Sequence, residues 1–118
     1  MDIIIATSSA DLRIALELLI REEADISVTG TTNKTEGLCE WIETNRPDLL
    51  LLDWELVGNS STKILGTISR LTLPPKIIVI AENESIEEVA LKAGADSLIQ
   101  KGYSRKGMLE SIREIGPE

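Results

Sequence analysis

The sequence predicts one α/β domain: a doubly wound, five-stranded parallel sheet covered on both faces by five helices. The first observation is the run Asp48-Leu49-Leu50-Leu51-Leu52-Asp53, four leucines in a row between Pro47 and Gly58. Such a run reads as a central strand buried on both faces. The second is that short β-like apolar runs alternate with segments of helical period along the whole chain. The third is size: 118 residues, of which 42% are apolar, suffice for one core and no more. The expected strand order is 2-1-3-4-5, with a site at the switch point between strands 1 and 3. Pattern alone does not fix that order.

The elements follow in turn. Ile3-Ile4-Ile5-Ala6 is the first strand. Ser8-Ser9 caps a helix over roughly residues 9–22, with Leu12, Ala15, Leu16 and Leu19 as its apolar stripe. Ile26-Ser27-Val28 alternates as a short edge strand. A second helix carries Leu38, Trp41 and Ile42 and ends before Pro47, as a helix must when proline follows. After the leucine strand, a third helix over 61–71 holds Ile64, Leu65 and Ile68, and Pro74-Pro75 closes the connection. Ile77-Ile78-Val79-Ile80 is a second buried strand. A fourth helix begins near Ser85 with Ile86, Val89 and Ala90 on its apolar face and ends around Gly94. Asp96-Ser97-Leu98-Ile99-Gln100 is the fifth strand, and residues 104–115 form the last helix through Met108, Leu109, Ile112 and Ile115.

Composition excludes several functions. A formal charge of −8 disfavours contact with nucleic-acid phosphates or an anionic membrane. With no histidine, the His-based triads and the commonest imidazole metal ligand are absent. Cys39 has no partner for a disulfide, and a reducing cytoplasm is the expected setting. Nothing adjacent in sequence would lower its pKa, so it is expected to be inert. The core must be aliphatic, because there is no Phe and the aromatics are Trp41, Trp54 and Tyr103. Trp41 is expected in the core and Trp54 as packing for the strand-3 loop.

Two segments carry a resemblance. They are Arg46-Pro47-Asp48-Leu49-Leu50-Leu51-Leu52-Asp53 and Gly94-Ala95-Asp96-Ser97-Leu98-Ile99-Gln100-Lys101, with the Ile77–Ile80 strand between them. At this separation, within a five-fold βα alternation, they make the whole chain resemble a CheY-like response-regulator receiver domain of two-component signalling. The resemblance implies phosphoryl transfer to the strand-3 aspartate, and Asp53 matches that phosphoacceptor. Lys101 matches the lysine that contacts the phosphoryl oxygens. It also implies Mg²⁺, held by two adjacent acidic residues after strand 1 together with the phosphoacceptor.

This chain departs from the family pattern. Thr7 and Ser8 stand at the acidic pair, and neutral hydroxyls are poor ligands for a hard ion that wants anionic oxygens. Ala81 stands where a Thr or Ser hydroxyl ends strand 4, Leu98 where strand 5 has an aromatic switch residue, and Val57 where a Pro follows the strand-3 loop. Glu55 and Glu82, at the mouth of the same site, could supply a second carboxylate by rearrangement or could be solvated loop charges. Thr7, Ser8 and Ser9 also read as ordinary turn and cap residues.

One more feature stands apart. At about 100° per residue, Ile14 lies about 200° and Leu18 about 240° from Leu12, away from the core stripe. They form a small apolar patch, a candidate interaction surface between the first and last helices, or else ordinary exposed residues. The expectation is therefore a divergent receiver, a pseudo-receiver, that is no enzyme. It would serve as an interaction or dimerisation module independent of aspartyl phosphorylation, with no cofactor and no bound Mg²⁺. Its partner would be a sensor kinase, another signalling protein or a second copy, and a DNA-binding output domain could follow. One alternative is an active phospho-receiver with a rearranged metal site. The other is a small-ligand-binding domain using the polar pocket left by the missing acids. The domain is expected to span residues 1–116, with 117–118 beginning a linker or tail.

Overall fold

A computed structural model describes residues 1–115, without the side chain of Asn59. The expected domain end at residue 116 and the tail at 117–118 lie outside the described residues. Five strands form one parallel sheet: β1 (Asp2–Ala6), β2 (Ser27–Thr32), β3 (Leu49–Asp53), β4 (Lys76–Ala81) and β5 (Ser97–Gln100), in the order β2-β1-β3-β4-β5. The helices are α1 (Ala10–Arg21), α2 (Leu38–Asn45), α3 (Trp54–Val57), α4 (Ser61–Ser69), α5 (Glu87–Ala93) and α6 (Arg105–Ile115). No described helix is long and apolar enough to cross a membrane.

The strand sequences split into two cores because successive side chains point to opposite faces. Ile3, Ile5, Leu49, Leu51, Ile78, Ile80 and Ile99 pack against Leu16 and Ile20 of α1 and Ile112 of α6. Ile4, Leu50, Leu52, Ile77, Val79 and Leu98 pack on the other face against Leu38 and Ile42 of α2, Leu65 and Ile68 of α4, and Ala90 of α5. All four leucines of β3 are wholly inaccessible to solvent. That run therefore feeds both cores at once and sets Asp53 at the C-terminal edge of the sheet.

Five helices of seven residues or more match the expected number; α3, a single turn, is additional. It forms because the Asp53 side chain caps it, accepting the Glu55 N–H at 3.1 Å. One turn is too short to leave an apolar period in the sequence. Strand β2 was expected to stop at Val28 but continues to Thr32. It has a single neighbour and is half-exposed, so the polar Thr-Gly-Thr-Thr stretch suits it. Its register with β1 shifts, Ile3 pairing Val28 and Ile4 pairing Gly30, which passes over Thr29.

Two residues expected in the core point outward. Ala15 is exposed, and Ile20 fills the inner face of α1. Val89 is 48% exposed, because α5 docks through the small Ala90 and half-buried Ala93 and turns Val89 to solvent. Trp41 is half-buried rather than central, its indole lying across β2 at Gly30. Only glycine fits there, since a Cβ at Gly30 would fall 2.5 Å from the indole ring.

Candidate functional site

The register of the sheet assembles the site. Because β1 and β3 pair in parallel with Ala6 opposite Leu52, the residues that follow, Thr7 and Asp53, arrive side by side. Pairing of Ala81 with Gln100, extended by the Lys101 N–H donating to the Ala81 carbonyl at 2.7 Å, brings Lys101 to the same edge. This is the crevice outside the carboxyl ends of the strands where such sheets carry ligands.

Asp53 is 1% exposed and both of its oxygens are occupied. Thr7 Oγ1 donates to Oδ2 at 2.6 Å, while Oδ1 accepts the Glu55 N–H at 3.1 Å and faces Lys101 Nζ at 3.3 Å. Thr7 is itself buried, and its oxygen accepts the Ser9 N–H at 3.1 Å. Ser9 Oγ in turn accepts the Leu12 N–H and caps α1. Lys101 also lies 3.6 Å from a carboxylate oxygen of Glu55 and 3.6 Å from one of Glu82, both at the solvent mouth. Burial works to lower the Lys101 pKa, but Asp53 by charge and hydrogen bond, with Glu55 and Glu82, outweighs it and holds the pKa above its ordinary value.

The remaining expected positions are placed as follows. Ala81 and Leu98 are both buried, Leu98 within the core beneath α4 and α5. Ser8 is exposed and lines, with Thr7, Arg13, Thr31 and Asn33, an open cleft of about 400 Å³ beside the site. Val57 is buried in the core as the last residue of α3. Ile14 and Leu18 are 46% and 50% exposed on α1. Ion pairs from Arg105 to Glu22 and from Arg113 to Glu23 and Asp25 tie α6 to the end of α1 and the turn after it. The residue that sequence reasoning underrated is Thr7, read as a turn residue or a poor ligand. The strand order held the signal, because a residue ending strand 1 must sit beside one ending strand 3.

Comparison with known proteins follows the same path. Residues 3–113 match the response regulator receiver domain family. The nitrate/nitrite response regulator protein NarL of Escherichia coli is 30% identical over 105 residues, covering 87% of this chain and 49% of NarL. The chain spans about half the length of the curated relatives it matches. Among solved structures, the response regulator domain of Thermotoga maritima CheB superposes with a TM-score of 0.84 at 22% identity, covering 98% of this chain and 95% of that one. A DNA-binding response regulator of the LuxR family from Staphylococcus aureus gives 0.83 at 25% identity, covering 97% of each. With the family match running from β1 into α6 and enclosing Thr7, Asp53 and Lys101, this chain belongs to the response regulator receiver domain family of two-component signalling.

Proposed function

We propose that this receiver domain works as a protein–protein interaction or dimerisation module whose state does not depend on aspartyl phosphorylation. The observation that carries the reading is that both oxygens of the Asp53 carboxylate are already engaged within the chain. A phosphoryl acceptor attacks through an exposed oxygen lone pair, yet Asp53 is buried, its Oδ2 accepts the Thr7 hydroxyl at 2.6 Å and its Oδ1 faces Lys101 and accepts the Glu55 amide. A hydrogen bond to a charged acceptor contributes about 1.5–3 kcal/mol, and phosphoryl transfer to Oδ2 weakens the one from Thr7 by removing the charge it is donated to.

The donors do not fit Mg²⁺ either. Asp53 is the one buried carboxylate of the site among the described residues; Glu55 and Glu82, 58% and 66% exposed at its mouth, each face Lys101 at 3.6 Å. Thr7 offers a neutral hydroxyl already donated and already accepting, and Ser8 faces solvent. Among the described residues no group of three or more acidic, Cys or His side chains is arranged for a metal. The signalling path is missing too, because Ala81 has no hydroxyl to follow a phosphoryl group and Leu98 is locked in the core. On this reading the domain is not an enzyme. It acts in the cytoplasm, where a lone thiol such as Cys39 stays reduced; burial, then Glu43 and Glu40, push that thiol's pKa up. Its partners are a sensor kinase, another signalling protein or a second copy. By likeness to the Staphylococcus aureus regulator, a DNA-binding region of the same polypeptide would receive the signal, while a charge of −8 keeps this domain itself off DNA.

The test is incubation with acetyl phosphate at millimolar Mg²⁺, followed by intact mass. The expected mass is unchanged, and a Mg²⁺ titration shows no saturable site below the millimolar range. A gain of one phosphoryl group that Asp53→Asn abolishes overturns the reading in favour of an active receiver. Restoring the acids with Thr7→Asp and Ser8→Asp should allow labelling, because the same change frees Oδ2 and supplies two anionic ligands.

A further inference from the structure

The exposed face of α1 carries a pattern that is complementary to itself. At 100° per residue, Asp11, Ile14, Leu18 and Arg21 fall at about 0°, 300°, 340° and 280°, inside an arc of ~80°. All four are exposed, on the side opposite the buried Leu16, Leu19 and Ile20. Their spacing of three, four and three residues is that of the a and d positions of a coiled-coil seam. The two apolar residues are central, with an acid at the N-terminal end and a base at the C-terminal end. Among the described residues neither Asp11 nor Arg21 has an ion-pair partner within the chain. Arg13 and Glu17 pair with each other at 3.3 Å, and Glu22, just past the helix, pairs with Arg105 at 3.2 Å.

Resting on the reading of the domain as an interaction module, we infer that α1 packs antiparallel on α1 of a second copy of this chain, about a twofold axis. With Ile14 set against the second copy's Leu18, the same register sets Asp11 against the second copy's Arg21. Symmetry repeats both contacts. A parallel arrangement would oppose acid to acid and base to base, so charge selects the antiparallel one. The flanks allow it: Ala15 is small enough for close approach, and Arg13 neutralises Glu17 on the other side. A 12-residue helix is about 18 Å long, and a seam of that length falls well short of the ~800 Å² per partner of a standard interface. Association of the domain is therefore weak and must be followed into the millimolar range.

The experiment is sedimentation equilibrium of the chain over a concentration series at low ionic strength. The variants are Asp11→Arg, Arg21→Asp, the two combined, and an equimolar mixture of the single variants. Each substitution is on the surface, and far-UV circular dichroism verifies the fold. Each single variant should weaken self-association about tenfold or more, since it opposes like charges at both ends. The mixture and the combined variant should both recover wild-type association, because each restores two opposite-charge contacts. A wild type that stays monomeric to the top of the series overturns the inference. So does a dimer insensitive to both single variants, or a mixture that fails to recover. A dimer built on another surface removes the α1 seam and leaves the interaction-module reading standing. Phosphoryl labelling of Asp53 removes that reading with the seam intact.

Discussion

Replacing Lys101 by Met and Asp53 by Leu, singly and together, measures how tightly the two are coupled. At 3.3 Å and an effective dielectric constant of about 20, their Coulomb attraction is about 5 kcal/mol. Desolvation takes back part of it, because Asp53 is 1% exposed and the Lys101 side chain 19%. In Lys101→Met the buried carboxylate keeps the Thr7 hydroxyl and the Glu55 N–H, which soften the loss to about 2–3 kcal/mol. In Asp53→Leu the ammonium can turn to Glu55 and Glu82, while the α3 cap and a partner for Thr7 are lost, at about 1–2 kcal/mol. The double variant has no uncompensated charge, so it should be more stable than the sum of the single losses implies by about 2 kcal/mol.

Urea titration followed by the fluorescence of Trp54, adjacent to Asp53, and of Trp41 reads this out as midpoint shifts at constant slope. Additivity within about 0.3–0.5 kcal/mol refutes the reasoning. The pH dependence is a second check. Because the folded Lys101 pKa is raised, its contribution is complete below the unfolded value of 10.5 and is lost as pH rises through the folded one. The coupling should thus be the same at about pH 6 and pH 9 and disappear in strong alkali, where Lys101 is neutral.

Two further predictions concern other parts of the molecule. The Asp25 carboxyl, hydrogen-bonded by Arg113, should titrate at about 2 rather than 3.8 in an NMR pH series, and its contribution to stability, present above 3.8, is lost as pH falls through about 2. In Arg113→Met that titration should return toward 3.8, and an unmoved value would show that Arg113 is not the cause. Gly30→Ala should destabilise the fold by about 1–3 kcal/mol by displacing the Trp41 indole, and Trp41→Leu should remove most of that penalty. An equal effect of Gly30→Ala in both backgrounds would say that the ring does not set the constraint.

What could be foreseen from the chain tracks how local the cause is. The leucines of β3, the helix stop before Pro47 and the isoleucines of β4 announce themselves, because burial on both faces leaves an unbroken apolar run. The length of β2 could not be seen, because an edge strand need not be apolar and Thr29 to Thr32 carry no apolar signal. Helix α3 depends on one carboxylate accepting one amide, which no periodicity records. At the site, Asp53 and Lys101 were visible as single residues, but the Thr7–Asp53 bond joins positions 46 apart and exists only through strand order. Val89 and Ala15 show the converse limit: an apolar residue one position off the packing face looks like core until the helix is docked.

The passed-over Thr29 has a consequence for how copies of this chain meet. β2 is one of the two open edges of the sheet, where an unprotected backbone would template the strand of a neighbour. The skipped residue breaks the even rhythm of donors and acceptors along that edge and twists it locally. Trp41 then lies across the glycine that follows. At the far side, β5 is four residues long and gives way at once to Lys101. An incoming strand thus finds a misaligned ladder on one margin and almost none on the other. The sheet resists growing sideways, so a partner of any kind has to be met by side chains on the helices, where charge can choose it.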